Sequence, residues 1–73
     1  MSESTLELVI NGEPRRVARG STVADLLAQT QADLSGKRIA VERNGSIVPR
    51  SAHASTAVHE GDVLEIVMAV GGG

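Results

Sequence analysis

Polar and apolar residues first alternate in Leu6-Glu7-Leu8-Val9-Ile10, which predicts a short strand. Leu6, Leu8 and Ile10 share one face and Glu7 and Val9 the other. Asn11-Gly12 follows; both residues tolerate positive φ, so a tight hairpin is predicted there. The return strand runs from Glu13 to about Arg19, with Val17 as its inward residue. Pro14 suits an edge position, and Arg15, Arg16 and Arg19 discourage sheet-to-sheet pairing.

Gly20-Ser21-Thr22 breaks this strand and opens a helix predicted over Val23 to Gln31. Thr22 with Asp25 fits the aspartate form of a capping box, and Ser21 is the alternative N-cap. Val23, Leu26, Leu27 and Thr30 fall at helical spacing and form one apolar stripe. Leu34 is expected to fold back onto the core before Ser35-Gly36. Ile39, Val41 and Arg43 alternate with Ala40 and Glu42 in a third strand that ends at Asn44-Gly45. Ile47-Val48 is a brief fourth strand, cut short by Pro49. Residues 51–59 read as a small-residue loop from which Val58 enters the core, and Glu60-Gly61-Asp62 as a turn. The last strand, Val63 to Val70, puts Leu64, Ile66, Met68 and Val70 on one face and Val63, Glu65, Val67 and Ala69 on the other. The predicted order is β-β-α-β-β-β: an α+β roll in one domain, residues 1–73, with a mixed sheet of four to five strands packed on one helix. The first and last strands are the most apolar and are expected to be central neighbours.

Composition narrows the function. A chain of 73 residues buries only roughly 60% of its unfolded surface, so it is better suited to present a surface or a tail than to enclose an active site. Phe, Tyr and Trp are absent, which leaves no platform for base stacking, and the net charge of -2 does not favour tracking phosphates. No nucleic-acid partner is expected. Without cysteine there is neither disulfide nor thiol nucleophile. The start "MSESTLE" lacks the basic, apolar pattern of a secretory signal, and no apolar run reaches membrane length. A cytoplasmic domain without membrane contact is the expectation.

The ionisable residues offer little chemistry. His53 and His59 lie in a loop without a neighbouring ligand cluster, so both are expected at the surface and no metal site is expected. Arg43 and Arg50 flank the fourth strand as partner-binding or solubilising charges, and Asp62 beside Gly61 reads as turn chemistry. The distinctive stretch is "EIVMAVGGG" at 65–73. Three glycines at one named place would arise by chance in roughly one chain in a few thousand. Gly71, Gly72 and Gly73, following directly on a strand, are expected to form a flexible tail, either a functional one or terminal slack.

The chain resembles the β-grasp fold of ubiquitin-like proteins, and more closely the ThiS family of sulfur carriers for thiazole formation in thiamine biosynthesis. The likeness rests on "LVINGEP" at 8–14, "STVADLL" at 21–27, "AVERNGSIVPR" at 40–50, "EGDVLEIV" at 60–67 and the terminal "VGGG". The third terminal glycine departs from the many members that end in two, and the lead from Met1 to Ser4 is expected to be inert. The resemblance implies a co-substrate and not an enzyme. An adenylating enzyme of the ubiquitin-activating type would consume ATP to activate the Gly73 carboxylate, with no cofactor bound by the carrier itself. A sulfur donor, such as a cysteine desulfurase relay, would convert it to a thiocarboxylate, and a thiazole synthase would take the sulfur. A molybdopterin-synthase small subunit is the nearest alternative, disfavoured by "VMAVGGG" without proline; a ubiquitin-like protein modifier is another.

Strand parity also places Val9, Ala40, Val63, Val67 and Ala69 with Glu7, Glu42 and Glu65 on one sheet face. A small-aliphatic patch crossed by acids fits an apolar, basic partner, so Val9, Val63, Glu65, Val67 and Ala69 are the candidate docking residues.

Overall fold

The computed structural model describes residues 4–29 and 38–69, and of Ala69 only the backbone. Two Asn-Gly turns set its register. β1 (Thr5–Ile10) and β2 (Glu13–Ala18) pair antiparallel with Ile10 opposite Glu13, leaving Asn11-Gly12 as a two-residue turn. β3 (Arg38–Arg43) and β4 (Ser46–Val48) repeat the arrangement around Asn44-Gly45, with Arg43 opposite Ser46. Asn11 and Asn44 have φ of 52° and 53°, and Gly12 and Gly45 have φ of 83° and 87°. Two successive positive φ values make a turn whose twist matches that of the strands it joins.

β5 (Val63–Ala69) lies in the middle of a five-stranded sheet of order β2-β1-β5-β3-β4. It runs parallel to β1, with Val9 opposite Val63, and antiparallel to β3, with Val41 opposite Ile66. The predicted neighbours and the mixed sheet are therefore present.

The single helix among the described residues, α1 (Val23–Gln29), starts where the capping box was expected. The Thr22 N–H donates to Asp25 Oδ2 at 2.9 Å, and the Asp25 N–H donates to Thr22 Oγ1 at 3.2 Å. The loop before β5 supplies the other caps: the Val23 and Ala24 N–H groups donate to the carbonyls of Thr56 and His53, each at 2.9 Å. The first-turn donors that a helix leaves open are thus matched by the Thr22 side chain and by two carbonyls of one loop. The predicted helix end at Gln31, Thr30 of its stripe, and Leu34 with Ser35-Gly36 lie outside the described residues, as do residues 1–3 of the lead and Val70.

The helix covers the sheet face that carries Leu6, Leu8, Val17, Val41, Val48 and Leu64, and Val23, Leu26 and Val58 complete the core. Val41 and Leu64, on adjacent central strands, have no exposed surface. Burying each such side chain is worth about 1.5–3 kcal/mol. Leu27 and Ile66 pack against this cluster only partly buried.

The structure corrects one of these expectations, at His53, and shows that shared parity on β5 does not bring equal burial. Met68 has the parity of Leu64 yet is 40% exposed. β1 ends at Ile10, opposite Leu64, so at Met68 the sheet has a neighbouring strand only on the β3 side. His53, expected at the surface, is buried. A 3₁₀ turn at Arg50–Ala52, overlapping the start of the stretch read as loop, carries it inward. Its Nε2 sits 3.0 Å from the Val48 carbonyl, which can only accept, so Nε2 carries the proton. His59 is exposed, as expected.

Candidate functional site

The sheet face turned away from α1 carries the candidate docking residues. Val63 and Val67 on β5 are 50% and 55% exposed, and Ile47 on β4 is 63% exposed. Across the strands, Val9 is paired with Val63, Ala40 with Val67, and Glu42 with both Glu65 and Ile47. Val9 and Glu42 are half-buried, whereas Ala40, Glu65 and Glu7 are exposed. The predicted face is therefore assembled in register, apart from the side chain of Ala69, which lies outside the described residues. Ile47 joins it through the Asn44-Gly45 turn, which sets Ile47 against Glu42. That membership was readable from the two-residue turn, but it was missed.

Glu42 and Glu65 face each other directly across β3 and β5. Like charges so placed are unfavourable. Among the described residues neither carboxylate has a hydrogen-bond or ion-pair partner. Arg16 stands opposite Glu7, and Arg38 shares the parity of Ala40 and Glu42, so the face combines exposed aliphatic side chains with a local acidic pair at Glu42 and Glu65 and cations towards its edges.

β5 is anchored at its start by Asp62, which is buried and more than a turn residue. Arg43 Nε donates to Asp62 Oδ2 at 2.8 Å, Asn44 Nδ2 to Oδ1 at 3.0 Å, and the His59 N–H to Oδ2 at 2.8 Å. Burial pushes the Asp62 carboxyl up, but the hydrogen bonds from Arg43, Asn44 and His59 and the Arg43 charge outweigh it, holding the group below its ordinary range. Arg43 is therefore committed to the turn, while Arg50 is exposed. On the other flank the Val9 N–H donates to the Asp62 carbonyl at 2.9 Å, tying the same turn to β1.

Further along β5, Asn11 reaches across with its side chain. Its Oδ1 accepts the Ile66 N–H at 2.8 Å and its Nδ2 donates to the Ile66 carbonyl at 3.3 Å. Sequence reasoning took Asn11 as turn chemistry alone. A contact spanning 55 positions leaves no local signal. Gly71, Gly72 and Gly73 follow β5 in the sequence and lie outside the described residues.

Among the described residues no helix is long and apolar enough to cross a membrane. The crystal structure of a ThiS thiamine biosynthesis protein from Geobacter metallireducens superposes with a TM-score of 0.70 at 34% identity, covering 93% of this chain and all of that one. The ycf40 protein of Pyropia yezoensis is 34% identical over 73 residues, the full length of both chains. A thiazole synthase of Paramagnetospirillum magneticum is 48% identical over 68 residues, which are 93% of this chain but 20% of the relative, so the chain spans about a fifth of that protein's length. The sequence profile of the ThiS family matches residues 8–73, and with the β-grasp sheet and helix this places the chain in the ThiS family of ubiquitin-like sulfur carriers.

Proposed function

We propose that the chain carries sulfur for thiazole formation in thiamine biosynthesis on the carboxylate of Gly73, acting as a co-substrate in the cytoplasm. The observation that carries this reading is the family match through residue 73, on a chain whose exposed Val63–Val67 face lies on the strand leading to the glycines.

The chemistry follows from what a carboxylate lacks. It is a poor electrophile, so one of its oxygens first attacks the α-phosphorus of ATP on an adenylating enzyme, and pyrophosphate leaves. A sulfur nucleophile from a donor such as a cysteine desulfurase relay then attacks the acyl carbon, and AMP departs with the bonding pair. A second cysteine thiol of the enzyme or donor then attacks the donor's own sulfur in the acyl disulfide so formed, making a disulfide and expelling the thiocarboxylate, which a thiazole synthase consumes. The activating site must exclude water to protect the adenylate. Gly71 to Gly73, extended over about 10 Å, can thread a channel that a folded domain cannot enter. Docking by the Val63, Glu65 and Val67 face, with Val9 beneath it and Ala69 continuing its parity, would hold the body while the tail reaches in. The thiazole synthase relative supports that enzyme as the receiving partner.

The test is the intact mass of the protein after incubation with ATP, the adenylating enzyme and a sulfur donor, with fragmentation to place any change. An oxygen-to-sulfur substitution at Gly73 is expected. An unchanged mass, with the enzyme active on another carrier, overturns the reading.

A further inference from the structure

The Asn11-Gly12 turn needs positive φ at both positions, and glycine meets that need as well as asparagine does. Asn11 therefore brings chemistry that the turn does not require. β1 ends at Ile10 opposite Leu64, and the Asn11 N–H makes the next ladder bond, to the Leu64 carbonyl at 2.9 Å. The main chain then turns away at Gly12 into β2. A continuing strand would next engage the Ile66 N–H and carbonyl. The Asn11 side-chain amide does so instead, accepting at 2.8 Å and donating at 3.3 Å. An amide is suited to this because it offers donor and acceptor together, and asparagine tolerates the observed φ of 52°.

The consequence falls on the strand that leads to the glycines. Up to Ile66, β5 is held on both flanks. From Val67 to Ala69 its pairing among the described residues is with β3 alone: Ala40, Ile39 and Arg38 oppose Val67, Met68 and Ala69. A two-stranded ribbon is marginal without further support. The amide thus decides where two-sided support ends. Without it, support retreats from Ile66 to Leu64, adding two residues, or about 7 Å, to the segment that must deliver the carboxylate. A looser tether lowers the effective concentration of a terminal group at a fixed site.

We propose that Asn11 is a positioning residue for activation of the C-terminal carboxylate, its side-chain amide pinning Ile66 so that the run supported by β3 alone begins at a fixed point. This rests on the carrier reading above. Asn11 does not touch the reacting atoms, and the docking face on Val63 and Val67 does not include it.

The experiment uses the full chain with Asn11→Gly and Asn11→Asp, both compatible with positive φ. Glycine removes both bonds; aspartate keeps the acceptor for the Ile66 N–H and sets an anion beside its carbonyl. Amide hydrogen exchange and the steady-state rate of pyrophosphate release from ATP by the adenylating enzyme are both measured. In Asn11→Gly the Ile66 amide should exchange roughly ten-fold faster, the equilibrium equivalent of one lost hydrogen bond, while Val41 keeps its wild-type protection. The kcat should fall by roughly 1.5-fold, the loss in effective concentration when the tether lengthens by two residues, with KM unchanged, and Asn11→Asp should lie between glycine and wild type. Unchanged exchange at Ile66 overturns the inference, as does faster exchange with a wild-type kcat. A wild-type chain that an otherwise active enzyme fails to adenylate overturns the carrier reading and this inference with it; normal adenylation of wild type and Asn11→Gly alike overturns this inference alone.

Discussion

Asn11 and Asn44 grip the last strand from opposite flanks: Asn11 Oδ1 accepts the Ile66 N–H at 2.8 Å on the β1 side, and Asn44 Oδ1 accepts the Val63 N–H at 2.9 Å on the β3 side. Each asparagine is the first residue of a two-residue turn, with positive φ. The turn and the side-chain grip are therefore two separable contributions of one residue type.

Asn44 allows the two to be weighed. Asn44→Gly keeps the turn but removes the bonds to Val63 and Asp62, and should cost about 1–2 kcal/mol. Asn44→Ala should cost about 0.5–1 kcal/mol more, the left-handed penalty of an L side chain less the extra unfolded-state entropy of glycine. Urea melts of the two variants check this. Equal losses would mean that the left-handed penalty at this turn is no larger than the extra unfolded-state entropy of glycine.

Asp62 makes stability depend on acid. Its carboxyl is held below the ordinary range in the folded chain, so it releases its proton more readily there than when unfolded. The stabilisation is complete above the unfolded value, about 3.9, and is lost as pH falls through the lower folded value. Stability should thus be flat from neutral pH to about 5 and decline below about 4. Asp62→Asn should be less stable at pH 7 by about 1–3 kcal/mol, since Arg43 loses its charged partner. It should also show a shallower acid decline. Parallel curves for wild type and variant would remove Asp62 as the source.

The same residues mark how far the sequence could be read. Both Asn-Gly turns, the Thr22–Asp25 capping box and the parity of β1 and β5 depend on residues a few positions apart, and local patterns were enough to find them. The burial of His53 depends on a 3₁₀ turn that packs the 50–57 loop against the start of α1, and composition pointed only to a loop. The Arg43–Asp62 pair spans 19 positions, and its distance was set by the meeting of two turns at the base of β5. For the candidate site, parity placed the docking face. The membership of Ile47 was legible through the two-residue Asn44-Gly45 turn, whereas the Asn11 grip needed the strand register.

Exposure separates two inward-parity residues of β5. Leu64→Ala, at a site with no exposed surface, should cost about 3 kcal/mol or more. Met68→Ala, at a site 40% exposed, should cost less than about 1 kcal/mol. For a domain of this size each kcal/mol moves Tm by about 4–8 °C, so thermal melts separate the two. A large loss at Met68 would mean that it packs more tightly than its exposure suggests.

The docking face can be tested without disturbing the core. Val63→Lys with Val67→Lys changes two side chains that are half exposed, so the melt should stay within about 1 kcal/mol of wild type. Two cations replacing aliphatic contacts should raise the KM for adenylation at least about ten-fold, since each good interfacial contact is worth over a kcal/mol. Adenylation at the wild-type KM by a variant of normal stability would show that the enzyme engages another surface.

The facing carboxylates of Glu42 and Glu65 make the sharper test, because folding and docking should respond in opposite directions. Directly opposed like charges on paired strands destabilise by about 0.2–1 kcal/mol. Replacing one by its neutral isostere, Glu65→Gln, should therefore raise Tm slightly, and high salt should narrow the gap by screening the repulsion in wild type. If the pair serves a basic partner, the same variant should associate more slowly with the adenylating enzyme at low ionic strength, since such charges act mainly on the association rate. Stopped-flow association across a salt series reads this. A variant that is more stable and associates at the wild-type rate would assign the repulsion no docking role, leaving the aliphatic residues of the face to carry recognition.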